Sequence, residues 1–328
     1  FLPLTDRDVN TLWGRMNKTV GRVYLTDIYN VIHSEFVPLF NPFQSYFDHL
    51  PSWDGVSDPI GDLADTVHVK SDQAEFRDYF RKWFVGILPA LLDDTVVNHE
   101  ILVLIGEQGL YKTTWFNFLL PPELRCYFYT KTNSDRLNKD DLFSLTEFAL
   151  ICFEELDGMR PAELNQLKAM VTMPYVNERA AYGRNKERHP HIASFCGTGN
   201  NVQFLTDPTG NRRWLPFEVS QIRDPHQHAI PYELVYSQAY ALWKSGFCHW
   251  FSQEEIRVLN TGIFVTAADI LEQISSCLRY PLSPNKIGRI MAGLEFESIR
   301  YKGKRGYITV KKTGEDIDRE RRSGALGL

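Results

Sequence analysis

The chain has 328 residues, 43% of them hydrophobic and 13% aromatic, which is enough to bury a large core and too apolar for a disordered segment. Its 36 Lys and Arg against 41 Asp and Glu leave a net charge of −5, which excludes a uniformly basic nucleic-acid-coating protein but allows a local basic face. The longest clean apolar run, Ile101 to Ile105, falls far short of the ~20 residues that cross a bilayer, and no charged-then-apolar leader opens the chain, so no membrane partner is expected.

Residues 1–98 read as an N-terminal helical region. Asp27 to Phe36 and Asp72 to Leu92 carry apolar residues at three-and-four spacing, and Asn41-Pro42, Pro51 and Trp53-Asp54-Gly55 punctuate the stretch between them. From Gln44 to Glu100 there are eleven acidic residues against four basic, a poor DNA-binding face and a plausible packing layer. The opening Phe1, in place of Met, is what a piece of a longer protein would show.

From residue 99 to 261 the pattern changes. Ile101–Ile105, Ala149–Phe153, Ile192–Cys196 and Trp214–Val219 read as buried strands, with helices at Lys112–Leu120 and Ala162–Met173 between them and at Tyr232–Lys244 and Ser252–Leu259 after them. Alternation of this kind predicts an α/β fold with a mostly parallel sheet flanked by helices.

Residues 262–328 form a third unit. Two helices (Ala267–Cys277, Pro284–Ala292) precede two short strands (Glu297–Tyr301, Gly306–Val310), which is the plan of a winged helix–turn–helix. The loop expected between the strands carries Lys302, Lys304 and Arg305 as candidate DNA contacts. Arg279 to Arg322 holds twelve basic against six acidic residues, so the positive charge of the chain concentrates here.

The five cysteines (Cys126, Cys152, Cys196, Cys248, Cys277) form no C-x-x-C, and three lie in apolar strand-like segments. Buried thiols in a reduced, cytoplasmic protein are the simplest reading. The pairs His189/His191 and His226/His228 lack a Cys or carboxylate at ligand spacing, which argues against a metal site.

The run Gly106, Glu107, Gln108, Gly109, Leu110, Tyr111, Lys112, Thr113, Thr114 follows a strand and opens a helix. In that context glycines let backbone amides converge on phosphate oxygens, and the helix N-terminus adds positive potential. As a P-loop it would bind ATP and Mg2+, with Lys112 on the β and γ phosphates and the Thr113 hydroxyl on the metal. The pattern has glycine just before the lysine, where this chain has Tyr111. A positive φ at that position would strain a tyrosine; without one, its ring could pack beside the nucleotide or a neighbour.

The strand Ala149–Phe153 ends in Glu154, Glu155, Leu156 and Asp157, a Walker B pattern. Glu154 is then the second Mg2+ residue and Glu155 the base that polarises water, with Asp157 in reserve should the register slip. A third strand ends in Asn200-Asn201, where Asn200 is placed to hold the attacking water; the alternative is a plain Gly-Asn turn. Arg212 and Arg213, after a turn and before a strand, suit an arginine finger acting in cis or from a neighbouring subunit, or else a surface salt bridge. Around Gly183 a hairpin is expected, with Tyr182 to stack on a base and Arg184, Lys186 and Arg188 for single-strand phosphates; a solvated basic loop is the alternative.

Together GEQGLYKTTW, FEELDG, the YGR hairpin, the Gly-Thr-x-Asn strand end and DPTGNRRWLPFEV resemble the virulence-associated E family of P-loop ATPases, which is similar to superfamily-3 helicases of the AAA+ class. The resemblance runs from about Asn41 to Leu259. It implies a DNA-dependent ATPase of phages and mobile elements, assembled as a homo-oligomeric, hexameric ring on single-stranded DNA and accompanied by a primase domain or protein. It further implies Lys112 and Thr113 on nucleotide and Mg2+, Glu154 and Glu155 as Walker B, Asn200 as sensor, Arg212 or Arg213 as a finger in trans, and the hairpin lining a channel. Duplex DNA is a further candidate partner through the C-terminal unit. The alternatives are a non-motor assembly in which nucleotide only holds the ring together, kept open by Tyr111, and a small-molecule P-loop kinase.

Overall fold

A computed structural model describes residues 4–132, 139–178, 187–201, 213–252, 255, 263–274, 282–294, 296, 298–301 and 304–309. Two helices open it, α1 (Asp6–Thr19), started by a reciprocal cap between Thr5 and Asp8, and α2 (Leu25–Ile32). They pack on each other with Val9 and Ile28 buried, while Leu12, Trp13 and Tyr24 stay exposed. Next come α3 (Pro42–Asp48), α4 (Pro59–Ala64), β1 (Val67–Val69) and α5 (Gln73–Leu92). The caps of these helices are Asn41, Asp58 and Asp72, with proline at the first position of α3 and α4.

The remaining elements are β2 (Ile101–Ile105), α6 (Lys112–Leu119), β3 (Phe128–Lys131), α7 (Lys139–Glu147), β4 (Leu150–Phe153), α8 (Pro161–Met170), β5 (Tyr175–Glu178), β6 (Glu187–Pro190), β7 (Ser194–Gly199), β8 (Trp214–Ile222) and α9 (Tyr232–Lys244). A six-stranded sheet runs in the order β1-β8-β2-β7-β4-β3. It is parallel except for β1, which pairs antiparallel with β8 at one edge.

The alternation of β2 builds the two sides of the core. Leu102 and Leu104 join the cluster of α3, α4, α5, α6 and α9, whereas Ile101, Val103 and Ile105 join the cluster of α7 and α8. A strand buried on both faces reads as the unbroken apolar run Ile-Leu-Val-Leu-Ile, as parallel sheets require. Against the first face α5 lays Phe76, Phe80, Trp83, Phe84 and Ile87, all fully buried, and the Trp83 indole N–H donates to the Phe195 carbonyl of β7 (3.0 Å).

Residues from Phe43 to Leu91 share one core with the sheet, and β1 is a strand of it. The apolar face of α5 is too broad to be covered by the neighbouring short helices alone. Cys152 and Cys196 are buried in β4 and β7, Cys126 and Cys248 are exposed, and Cys277 lies outside the described residues.

Beyond α9 come β9 (Ile263–Thr266), α10 (Ala267–Ile274), α11 (Pro284–Gly293), β10 (Ile299–Tyr301) and β11 (Lys304–Thr309). The three strands form an antiparallel sheet in the order β10-β11-β9. Lys304 and Arg305, expected in a loop, instead open β11 and pair with Tyr301 and Arg300, because the strand begins two residues before its apolar run. Of the helix expected at Ser252–Leu259, only Ser252 and the helical Glu255 are among the described residues. No helix among the described residues is long and apolar enough to cross a membrane.

Candidate active site

The carboxyl ends of β2, β7 and β4 lie side by side, with Ile105 paired to Gly199 and Phe153 to Gly197. Ligands of open parallel sheets collect at this end, where loops leave the strands and helices begin. Here β7 separates the strand before the glycine loop from the strand before the acids. Asn200 therefore emerges between Lys112 on one side and Glu154 on the other.

The loop after β2 needs its glycines for two reasons. A Cβ on Gly106 would lie 2.9 Å from the Val219 carbonyl oxygen, and Gly109 has φ +85°. Tyr111 has φ 60° and ψ 18°, the left-handed conformation that disfavours side chains by about 1–2 kcal/mol. The pattern residue at this position is glycine for that reason, and the chain tolerates tyrosine because α6 is held from both ends. Trp115 and Phe116 are buried, and the Trp115 indole donates to the Thr66 hydroxyl (2.8 Å). At the far end the hydroxyls of Tyr232 and Tyr236 donate to the carbonyls of Phe118 (2.8 Å) and Leu119 (2.9 Å). A helix so anchored over-determines the loop that feeds it.

Lys112 Nζ donates to the carbonyls of Gly106 (2.6 Å) and Glu107 (2.7 Å) and is almost fully buried. Burial pushes its ammonium below the ordinary pKa, and the negative charge of Asp157 works against that shift. The Thr113 hydroxyl donates to Glu154 Oε1 at 2.7 Å, joining the start of α6 to the end of β4. A hydroxyl and a carboxylate in contact are hard oxygen donors of the kind Mg2+ takes.

Glu155 is the second left-handed non-glycine among the described residues, with φ 54°. Like Tyr111 it lines a cavity of about 350 Å3, together with Lys112, Thr113, Glu154 and Asn200. Gln108, Gly109, Leu110 and Thr114 also line it, while Gly106 and Glu107 contribute the carbonyls that hold Lys112.

Two further residues set this geometry. Asp157 Oδ1 accepts the Asn200 backbone N–H (3.1 Å), tying the acidic turn to the end of β7. Gly197 makes room for that turn, since a Cβ there would sit 2.4 Å from Leu156 Cδ1. The sequence proposed Asp157 only as a reserve acid; the glycines flanking Thr198 were the signal of a close approach.

The other candidates lie elsewhere. Arg213 stands just before β8 at the amino end of the sheet, since Trp214 pairs with Ile101. The length of β2, five residues or about 16 Å, separates that end from the cavity. Arg213 is not among the residues that line the cavity of its own chain. Its charge acts on His99 and Glu100. Burial pushes the Glu100 carboxyl up to about 7 against the pull of Arg213 and Lys82.

Arg212, Tyr182, Arg184, Lys186 and Lys302 lie outside the described residues. The stem of the expected hairpin is there, β5 against β6, and Arg188 in it lies over the Tyr175 ring at 3.5 Å. His191 is a buried core histidine bonded to the Met173 carbonyl (2.7 Å), and among the described residues no three His, Cys, Asp or Glu gather for a metal ion.

The family model of the virulence-associated protein E-like domain matches residues 48–262, nearly the stretch over which the motifs show their resemblance. Among solved structures, the apo NrS-1 C-terminal region aligns at 12% identity and a TM-score of 0.48, covering 93% of this chain and 90% of that one. Its A form aligns at 12% identity and a TM-score of 0.40, covering 81% and 78%. Among the curated proteins nothing matches.

Proposed function

This chain belongs to the virulence-associated protein E-like family, and from that premise we propose that it is a DNA-dependent ATPase, a ring-forming replicative motor of a phage or mobile element that acts on single-stranded DNA. The observation that carries the reading is the convergence of Lys112, the Thr113–Glu154 pair and Asn200 on one cavity at the carboxyl end of a parallel sheet. In this reading residues 99–261 are the P-loop core and residues 262–328 a winged-helix-like domain.

In the proposed reaction the loop amides and Lys112 hold the β and γ phosphates of ATP, and Lys112 exchanges its loop carbonyls for phosphate oxygens. Thr113 and Glu154 would hold Mg2+, whose charge offsets that of the transferring phosphoryl group when bound. Asn200 orients a water and Glu155 accepts its proton. The Asp157 contact keeps Asn200 within reach of both strand ends. Because Arg213 sits at the far end of its own sheet, a finger from that position acts on the cavity of the next subunit. The hairpin β5–β6 then faces the strand within the ring.

Steady-state ATPase with and without single-stranded DNA tests the reading. DNA-stimulated turnover that Lys112→Ala abolishes supports the motor. Nucleotide binding without turnover supports instead a ring in which nucleotide is only a structural tie, a reading favoured by the left-handed Tyr111. Turnover indifferent to DNA rejects both.

A further inference from the structure

The segment that leads into β2, Asn98-His99-Glu100, sets three polar side chains where the chain enters an apolar core, and none of them lines the cavity at the other end of the strand. Asn98 is buried, and its Nδ2 donates to the Trp83 carbonyl of α5 (3.2 Å) and to the Ser194 hydroxyl of β7 (3.2 Å). Those bonds fasten the segment to one helix and one strand, so Glu100 leaves from a fixed point.

Ile101 pairs with Trp214 across the parallel strands β2 and β8, which brings the residues before them, Glu100 and Arg213, to the same level of the sheet. On the other side of β2 the register sets the uncharged Ser194 beside Glu100. The cations that act on Glu100 are Lys82 of α5 and Arg213. Lys82 has a carboxylate of its own, since its Nζ lies 2.5 Å from Glu255 Oε1. Of the two cations, Arg213 is therefore the one for Glu100 to fix. Desolvation and then the charge of Arg213 lower the His99 pKa, so at neutral pH this neighbour brings no further charge.

We propose that Glu100 is a positioning residue for Arg213: its ionised carboxylate takes one edge of the guanidinium and turns the other toward the phosphate held in the cavity of the neighbouring subunit. The proposal rests on the reading of the protein as a ring-forming ATPase with an arginine acting in trans, and it names what aims that arginine. A guanidinium presents five N–H donors in a planar fork, so a carboxylate on one edge leaves donors for a phosphate oxygen on the other. A long side chain fixed only when it meets its ligand loses rotamer freedom at that moment; an ion pair formed beforehand removes part of that cost. Protonation of Glu100 dissolves the pair and loosens the guanidinium. Burial raises the Glu100 carboxyl to about 7 against the pull of Arg213 and Lys82, so the change falls near neutral pH. Ionisation of a desolvated acid is unfavourable for folding, so the charge does not serve stability.

The test is single-strand-stimulated ATPase of the full chain from pH 6 to 8, for wild type, Glu100→Gln, Glu100→Asp, Arg213→Ala and the variant with both Glu100→Gln and Arg213→Ala. The quantity read is the ratio of wild type to variant, since ionisations elsewhere affect both alike. Glu100→Gln, isosteric with the protonated acid, should lower kcat about 10-fold at pH 8 and leave KM for ATP within about 2-fold, because the cavity is untouched and only the contact from the neighbour is misplaced. At pH 6, where the wild-type acid is mostly protonated, the two should agree within about 3-fold. Glu100→Asp keeps the charge on a shorter stem and should recover part of the pH dependence. Added to Arg213→Ala, Glu100→Gln should change kcat by less than about 2-fold, since both act through one guanidinium.

A Glu100→Gln profile parallel to that of the wild type overturns the proposal, as does a loss of turnover that persists undiminished in the Arg213→Ala background. Normal turnover of Arg213→Ala overturns it too, for it would leave Glu100 nothing to aim. Absence of turnover in the wild type sinks the motor and this role together, whereas DNA-stimulated turnover with parallel profiles sinks this role alone.

Discussion

The two ends of the central sheet share the same strands and differ in almost everything else. At the carboxyl end, the segments after β2, β7 and β4 deliver Lys112, Thr113, Glu154, Glu155 and Asn200 around one cavity, with Thr113 bonded to Glu154 and Asn200 braced by Asp157. At the amino end, the charge of Arg213 acts on His99 and on a Glu100 carboxyl raised to about 7. One end gathers the residues proposed to hold a charged ligand, and the other sets a cation near ionisable groups of its own chain. In the proposed motor, a second copy would bring an arginine from this end to the cavity of its neighbour.

The largest effect should come from the carboxyl end. Lys112→Ala removes the charge on the phosphates and is expected to lower turnover by about 10^3-fold or more in a steady-state ATPase assay. The comparison is sharpened by the amino end: one of Arg212→Ala and Arg213→Ala should bind a fluorescent ATP analogue normally while hydrolysing ATP about 10^3-fold more slowly. Mixing that variant with Lys112→Ala should restore measurable turnover, because some mixed interfaces join an intact cavity to an intact arginine. Failure of the mixture to recover, with both proteins folded and assembled, would break the idea of half-sites that meet in trans.

Glu100 gives a smaller, pH-dependent effect. Its folded pKa of about 7 lies above the ordinary carboxyl value, so folding favours the protonated acid. The sign follows: stability is unaffected by this group below about pH 4, falls as pH rises toward 7, and stays reduced above it. Partial solvent access limits the loss to about 1–2 kcal/mol. Urea midpoints between pH 5 and 8 should show the decline in the wild type and a flatter profile in Glu100→Gln; parallel profiles would contradict the assignment.

The smallest effect is expected at Tyr111. Tyr111→Gly relieves the left-handed strain but frees the unfolded chain, so stability should rise by no more than about 1 kcal/mol in thermal melts. If the ring only fills space at the cavity mouth, turnover should stay within a few-fold. A large gain would mean that the tyrosine holds hydrolysis back.

Much of this was legible in the chain. The run Ile101–Ile105 is β2 to the residue, and Tyr232–Lys244 is α9, because an apolar run bounded by turn residues and a three-and-four pattern each admit one geometry. The glycine loop and the acids after β4 were legible for a similar reason: the phosphate and metal chemistry proposed for them would restrict the residue types and their spacing. Less legible were β1, three residues long and meaningful only beside β8, and the start of β11 at Lys304 and Arg305, which a propensity reading assigns to a loop.

The local elements, the polarity of each and the residue types available for chemistry follow from side-chain periodicity and backbone sterics within a few residues. The order of strands is a property of the whole fold, and with it the position of β7, which carries Asn200 between the glycine loop and the acids. The fold also decided that Asp157 braces Asn200 and that Arg213 lies a strand length from its own cavity. Strand order is set by which apolar faces find cover across the whole core, a global packing problem in which α5, more than a hundred residues from β7, donates its Trp83 indole to the Phe195 carbonyl. No local pattern encodes that choice.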